Sequence, residues 1–208
     1  HVLRRQMHRD YRKPLILMTP KSLLRHPMCT STAADFLDGS TFHRVLWDDA
    51  ERGQSALSLN ADADIRRVVL CSGKVYYDLL AERDARQQSD TYLMRVEQLY
   101  PTPKKSLTAE LGRFKGAEFI WCQEEPKNQG AWSHIEPELE TILTAVGATQ
   151  TRPRYAGRVA SASPATGLVT KGGSPSKGRL TLLSPVRLCP AQCQAQTLQV
   201  CFTRQATL

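Results

Sequence analysis

The feature that most constrains this chain is the run Phe119-Ile120-Trp121-Cys122, followed at once by Gln123-Glu124-Glu125-Pro126-Lys127-Asn128-Gln129-Gly130. Helical spacing of apolar residues resumes from Trp132. An apolar run that stops abruptly at two carboxylates, a proline and a glycine reads as a strand buried on both faces that empties into a loop. Such strands belong to helix-covered parallel sheets, and the carboxyl ends of those strands are where ligands and partner domains dock. A plain acidic turn capping the next helix would leave the same letters, because carboxylates favour helix N-termini.

The rest of the chain extends this pattern. Residues 2–11 place Leu3, Met7 and Tyr11 on one helical face, and Pro14 stops that helix. Leu15-Ile16-Leu17-Met18 is expected as a short buried strand, with a brief helical turn over 23–26. An edge strand is predicted over 42–47, and 48–64, polar and rich in small residues, reads as a surface loop. Strands over 66–71, 91–96, 117–122 and 154–158 then alternate with helices over 75–87, 104–114 and 132–146. Strand–helix alternation at this spacing implies right-handed crossovers. The expected fold is α/β, a three-layer α/β/α sandwich with a mostly parallel sheet of about five strands.

Composition changes near Gly167. From residue 169 on there are five basic residues and no acidic ones, leaving 23 basic and 20 acidic side chains in residues 1–168. The formal charge of +8 is therefore concentrated in a low-order basic tail over 169–208, which Pro, Gly, Ser and Gln equip poorly for packing. A nearly balanced body does not suit nucleic acid, which needs basic residues gathered on one face. No apolar run reaches the ~20 residues of a membrane helix, and no signal-peptide pattern is present. Cys71 and Cys122 sit inside apolar strands as small hydrophobes. Cys29 lies in a polar loop, and Cys189, Cys193 and Cys201 lie in the tail without a CxxC pair. A reducing compartment follows: cytoplasm in a bacterium, mitochondrial matrix in a eukaryote.

Chemistry is sparse. Ser72-Gly73-Lys74, between a strand and a helix, offers amides and one lysine to an anion, but it lacks the spacing of a Walker loop. A solvated lysine at a glycine turn is the alternative. His1, His8, His26, His43 and His134 are not spaced as metal ligands. Arg5, Arg12 and Lys13 form one basic cluster, and Lys104 and Lys105 another. They would hold a phosphorylated effector if they share a sheet edge, or else are two solvated faces.

Several motifs carry a family resemblance. They are Arg12-Lys13-Pro14-Leu15-Ile16, Thr19-Pro20-Lys21-Ser22-Leu23-Leu24-Arg25-His26, Cys71-Ser72-Gly73-Lys74-Val75-Tyr76-Tyr77-Asp78-Leu79, and Arg95-Val96-Glu97-Gln98-Leu99-Tyr100-Pro101. Trp121 to Gly130, Arg154-Tyr155-Ala156-Gly157-Arg158 with Ala160-Ser161-Ala162-Ser163-Pro164-Ala165-Thr166-Gly167, and His1-Val2-Leu3-Arg4-Arg5-Gln6 complete the set. In order and at these spacings, residues 1 to about 170 resemble the carboxyl-terminal, transketolase-like domain of the 2-oxoglutarate dehydrogenase first component. The resemblance implies part of a thiamine-diphosphate- and magnesium-dependent decarboxylase whose cofactor ligands and catalytic histidines lie in earlier domains, so no catalytic residue is expected here. It further implies one domain over 1–168, docked on the upstream thiamine-binding domains and a homodimer partner. The whole enzyme passes succinyl groups to a dihydrolipoyl succinyltransferase core in the tricarboxylic acid cycle. Gln123, Glu124, Glu125 and Asn128 become interdomain or dimer contacts. Some relatives bind acetyl-CoA at this domain; Arg5, Gln98 and Lys105 match that site, with Lys104 and Arg44 alongside. Thr41, Arg44 and Ser106 depart from its residue types. Beyond Gly167 the resemblance ends, as after a shifted reading frame or an aberrant gene end.

Two other classes fit the residues: a free-standing flavodoxin-like module binding a nucleotide or CoA without catalysis, and an interaction protein with a basic tail. Nucleotide binding by the chain alone separates the first from an enzyme lobe.

Overall fold

The computed structural model describes residues 2–163, so the expected tail over 169–208 lies outside the described residues. The chain divides into two units at Arg44 and Val45, a division that the sequence pattern does not announce.

The first unit contains α1 (Val2–His8) and two 3-10 turns, Lys21–Arg25 and Ala33–Phe36. Thr32 and Asp35 cap the second turn reciprocally. The strand expected over Leu15-Ile16-Leu17-Met18 is corrected here: these residues form no strand and all four are exposed. A strand exists only where a neighbour completes its backbone ladder, and none of the described residues does so.

The second unit is the α/β body. Its sheet has the order β1-β3-β2-β4-β5, built from β1 (Val45–Leu46), β2 (Arg67–Cys71), β3 (Thr91–Val96), β4 (Glu118–Pro126) and β5 (Arg154–Arg158). Only β1 runs antiparallel to its neighbour; β2, β3, β4 and β5 are parallel. Helices α2 (Val75–Ala85), α3 (Lys104–Leu111) and α4 (Trp132–Val146) make the crossovers. The step from β2 to β3 runs opposite to the steps from β3 to β4 and from β4 to β5. Right-handed crossovers therefore put α2 on one face and α3 with α4 on the other.

Side-chain alternation fills both layers. Val68, Leu70, Tyr92, Met94, Phe119 and Trp121 share a core with Leu107, Leu111, Ile135, Leu139 and Leu143 of α3 and α4. Val69, Leu93 and Ile120, of opposite parity, are equally buried and face the α2 side. The expected three-layer, five-stranded, mostly parallel fold is present. Gly147, at φ 69°, closes α4 in the left-handed conformation that glycine adopts without steric cost.

Two local expectations change. The polar stretch after β1 is not wholly a surface loop, because Asp48 and Asp49 are buried. Asp48 pairs with Arg83 of α2, both side chains fully enclosed, and accepts hydrogen bonds from the N–H groups of Leu93 (2.7 Å) and Ala50 (2.8 Å). Burial pushes the Asp48 carboxyl above its usual range, against the pull of Arg83 and those N–H groups. Further along, Arg113 grips Glu51 at 2.9 Å and Asp62 at 2.8 Å. Arg83 and Arg113 stand far away in sequence, so local composition gives no sign of either. The second change is in β4, which continues past Cys122 to Pro126 because β5 lies alongside, with a register shift between those residues.

Removing one member of a buried pair strands the other charge. Asp48→Ala is expected to cost about 3–5 kcal/mol of unfolding free energy in urea titrations. Asp48→Leu combined with Arg83→Met is expected to recover most of that loss. A double variant as weak as the single one would show that the charge pair is not the cause.

Candidate functional site

All four parallel strands end on one edge, where the segments 72–74, 97–103, 127–131 and 159–163 gather. The strand order reverses between β2 and β4, which is where α/β sheets commonly take ligands. Here that crevice is bridged. Lys74, at the start of α2, meets the Glu124 carboxylate at 2.8 Å. The hydrogen bond to Glu124 raises the Lys74 pKa above its ordinary value and keeps the ammonium charged. An anion entering this turn must displace a carboxylate already in place, so the phosphate-loop reading of Ser72-Gly73-Lys74 loses its cation.

Gln123 organises the acidic turn. It is 4% exposed, and its Oε1 accepts from Trp121 Nε1 (2.9 Å) and the Trp132 N–H (3.0 Å). Its Nε2 donates to the carbonyls of Gln129 (2.7 Å), Pro126 (3.2 Å) and Glu125 (3.3 Å). One side chain thus ties the end of β4 to the first turn of α4. Tyr155 clamps the turn from β5: its hydroxyl donates to the carbonyls of Glu125 (3.0 Å) and Arg158 (2.9 Å), and its ring packs edgewise on Trp132 at 5.2 Å. Asn128 and Ser161 exchange two hydrogen bonds, Asn128 Nδ2 to the Ser161 carbonyl (3.1 Å) and the Ser161 N–H to Asn128 Oδ1 (2.9 Å).

The expected contact residues are thereby sorted. Glu124 and Glu125 are exposed on a braced turn. Asn128 is exposed but spends its amide on Ser161. Gln123 is corrected from a contact to an internal strut, since its amide is buried and fully engaged. Of the expected effector residues, Gln98, Lys104 and Lys105 stand together at the connection from β3 to α3. Gln98 Nε2 donates to the Pro101 carbonyl at 2.7 Å, and Lys104 pairs with Glu138 of α4 at 2.8 Å. Lys105 is exposed in the first turn of α3, while Arg5 and Arg44 are exposed in the other unit. Sequence reading missed Tyr155 as a clamp and Tyr100, 83% exposed and 6.2 Å between ring centroids from His134. Pro101 and Pro103, which follow Tyr100, are its one local signal. Among the described residues no group of three His, Cys, Asp or Glu side chains is placed to hold a metal ion.

Two outcomes follow from the braced turn. Gly130 sits at φ 67°, and a Cβ there would fall 2.9 Å from Gln123 Nε2 and 3.0 Å from Glu125 Cβ. Gly130→Ala is expected to cost more than about 1 kcal/mol in chemical denaturation; an unchanged midpoint would count against the brace. Burial pushes the Tyr155 phenol up to about 12 from 10.0. The folded state then keeps this proton while the unfolded chain releases it, so the contribution is whole below about pH 10 and is lost as pH rises towards 12. Tyr155→Phe is expected to flatten the fall of the urea midpoint between about pH 9.5 and 11.5. An unaltered slope would exclude Tyr155 as a source.

Residues 30–175 match the model of the family described as 2-oxoglutarate dehydrogenase C-terminal. Proteins named 2-oxoglutarate dehydrogenase E1 component from Brucella ovis, Brucella canis and Brucella abortus (strain S19) are each 62% identical over 172 residues. The match takes in 82% of this chain, which spans only 17% of the length of those relatives. A family model covering all five strands of the braced sheet, together with identity at that level, leaves one assignment: the chain belongs to the 2-oxoglutarate dehydrogenase C-terminal family.

Proposed function

We propose that the chain is a supporting lobe of an enzyme that decarboxylates 2-oxoglutarate and passes the succinyl group to a lipoyl arm on a succinyltransferase core. The 62% identity over 172 residues to E1 components carries this reading. The lobe's own part is to present a rigid acidic edge. Gln123 and Tyr155 fix the turn, and Glu124 and Glu125 meet the thiamine-binding domains or the dimer partner. The described residues do not fit thiamine diphosphate and magnesium: no metal-binding trio is among them, and Lys74 is neutralised by Glu124. Those groups would be held elsewhere in the enzyme, and no chemical step is assigned to the present residues. Lys105 is a contact for an acetyl-CoA effector, with Gln98 and Lys104 first having to leave internal partners; Arg5 and Arg44, expected at the same site, belong to the first unit.

The reading is tested by joining the chain behind the remaining ~five-sixths of the Brucella ovis relative, a share that follows from the 17% overlap. The joined protein is expected to decarboxylate 2-oxoglutarate, and the 208-residue chain alone to show no turnover. Turnover by the lone chain, or none by the joined protein, would refute it. Glu124→Lys with Glu125→Lys is expected to weaken the assembled dimer while shifting the lobe's own unfolding by no more than about 1 kcal/mol, as for exposed charges. Acetyl-CoA titration of the joined protein should raise its rate, and Lys105→Ala should blunt that response.

A further inference from the structure

We propose that Cys71 and Cys122 form a peroxide-reactive dithiol pair, a modification site that closes reversibly into a disulfide beside the Lys74–Glu124 contact. The pair stands apart from the enzyme-lobe reading, since both sulfurs belong to the sheet of the second unit and need no other domain.

The two cysteines lie in separate apolar strands, and only the sheet brings them together. Cys71 is the last residue of β2, and the parallel ladder sets it level with Cys122 of β4. Adjacent strands run about 4.7–4.9 Å apart, inside the Cα separation of about 4.4–6.8 Å that a disulfide spans. Direction agrees with distance. Leu70 and Trp121, one residue before each cysteine, belong to the core shared with α3 and α4, so alternation turns both cysteines towards the α2 face. Both are thiols, and both are fully buried. One buried cysteine is a small hydrophobe; two on one face at this spacing can exchange their protons for a bond.

Their surroundings distinguish the two sulfurs. The chain leaves the sheet directly after Cys71, where Ser72 is half-buried and Gly73 exposed. Opening of that turn uncovers the end of β2 without unfolding the sheet. Cys122 is followed instead by Gln123, buried and held by Trp121, Gln129 and Trp132. On the other side of Cys71, β3 sets Arg95 at the same level. The Arg95 guanidinium lies 4.3 Å from the centre of the Tyr76 ring of α2, and its Nε is buried with no hydrogen-bond partner. A neighbouring cation favours the thiolate, which is the attacking form. Cys71 is therefore the sulfur that peroxide reaches first, and Cys122 the one that resolves it.

The oxidant is hydrogen peroxide. The Cys71 thiolate attacks one oxygen: an S–O bond forms, the O–O bond breaks, and the departing hydroxide takes up the thiol's proton as water. The Cys122 sulfur then attacks the Cys71 sulfur. The S–S bond forms, the S–O bond breaks, and the oxygen leaves as a second water with the Cys122 proton. Two thiols lose two electrons to one peroxide, and exchange with a thiol reductant restores them.

Exposure of the 208-residue chain to hydrogen peroxide tests this, with acid quench, alkylation in denaturant and tryptic digestion. Cys71 then lies in peptide 68–74 and Cys122 in peptide 116–127. The two peptides are expected to appear joined and to separate with dithiothreitol. In the folded chain Cys122 is the expected partner in most peptides linked through Cys71, whereas in urea it is one of five competing cysteines. The same link is expected in the joined protein, whether or not that protein turns over 2-oxoglutarate. Cys122→Ala is expected to leave Cys71 as a sulfenic acid that dimedone traps. Cys71→Ala is expected to lower oxidation of Cys122 at least ~10-fold, since the attacking thiolate is gone. The unaltered chain gives its answer even if neither variant folds. Cys71 linked mainly to another cysteine, linked no more selectively than in urea, or left reduced would overturn the proposal. Undiminished oxidation of Cys122 in Cys71→Ala would overturn the order of attack.

Discussion

Burial of β2 and β4 on both faces is the constraint from which the rest of the second unit follows. Each strand presents apolar residues to both sides, so a helical layer is required above and below, and only crossover connections supply both. Their parallel pairing sends both carboxyl ends to one edge. The Lys74–Glu124 contact can form there only because adjacent strands deliver a basic turn and an acidic turn to the same point.

That edge is built for rigidity. Gln123 satisfies both of its polar atoms within the turn, and Gly130 allows the backbone to pass within reach of that amide. Tyr155 ties the next strand to the same carbonyls. A turn held by so many internal hydrogen bonds gives up little further freedom when it meets another surface. Exposed carboxylates on such a turn suit docking better than proton transfer, since Glu124 is already charge-paired with Lys74.

The two units differ in how far their own residues satisfy them. Val45 onward encloses most of its apolar side chains and buries an ion pair that locks the loop after β1 to α2 and β3. The first unit leaves large apolar residues exposed along α1 and over residues 15–18. The same physics gives opposite results because a strand's ladder needs a neighbour, and the second unit contains its own neighbours.

Much was legible in the residues themselves. The alternation of short apolar runs with helical spacing determined the layered fold, the sequence of elements, and α4 to the residue. The motif set determined the family. Tertiary structure alone decided which polar residues are internal. Asp48 and Gln123 carry the letters of solvated loops, yet Arg83 is 35 residues from Asp48 in the chain, and the atoms that engage Gln123 converge only after β4 meets α4. It also decided that Leu15 to Met18, a strand by composition, has no ladder within these residues. Periodicity reports which side of an element is apolar, a local property. Whether a polar group finds a buried partner, or a strand a neighbour, depends on segments far apart in the chain.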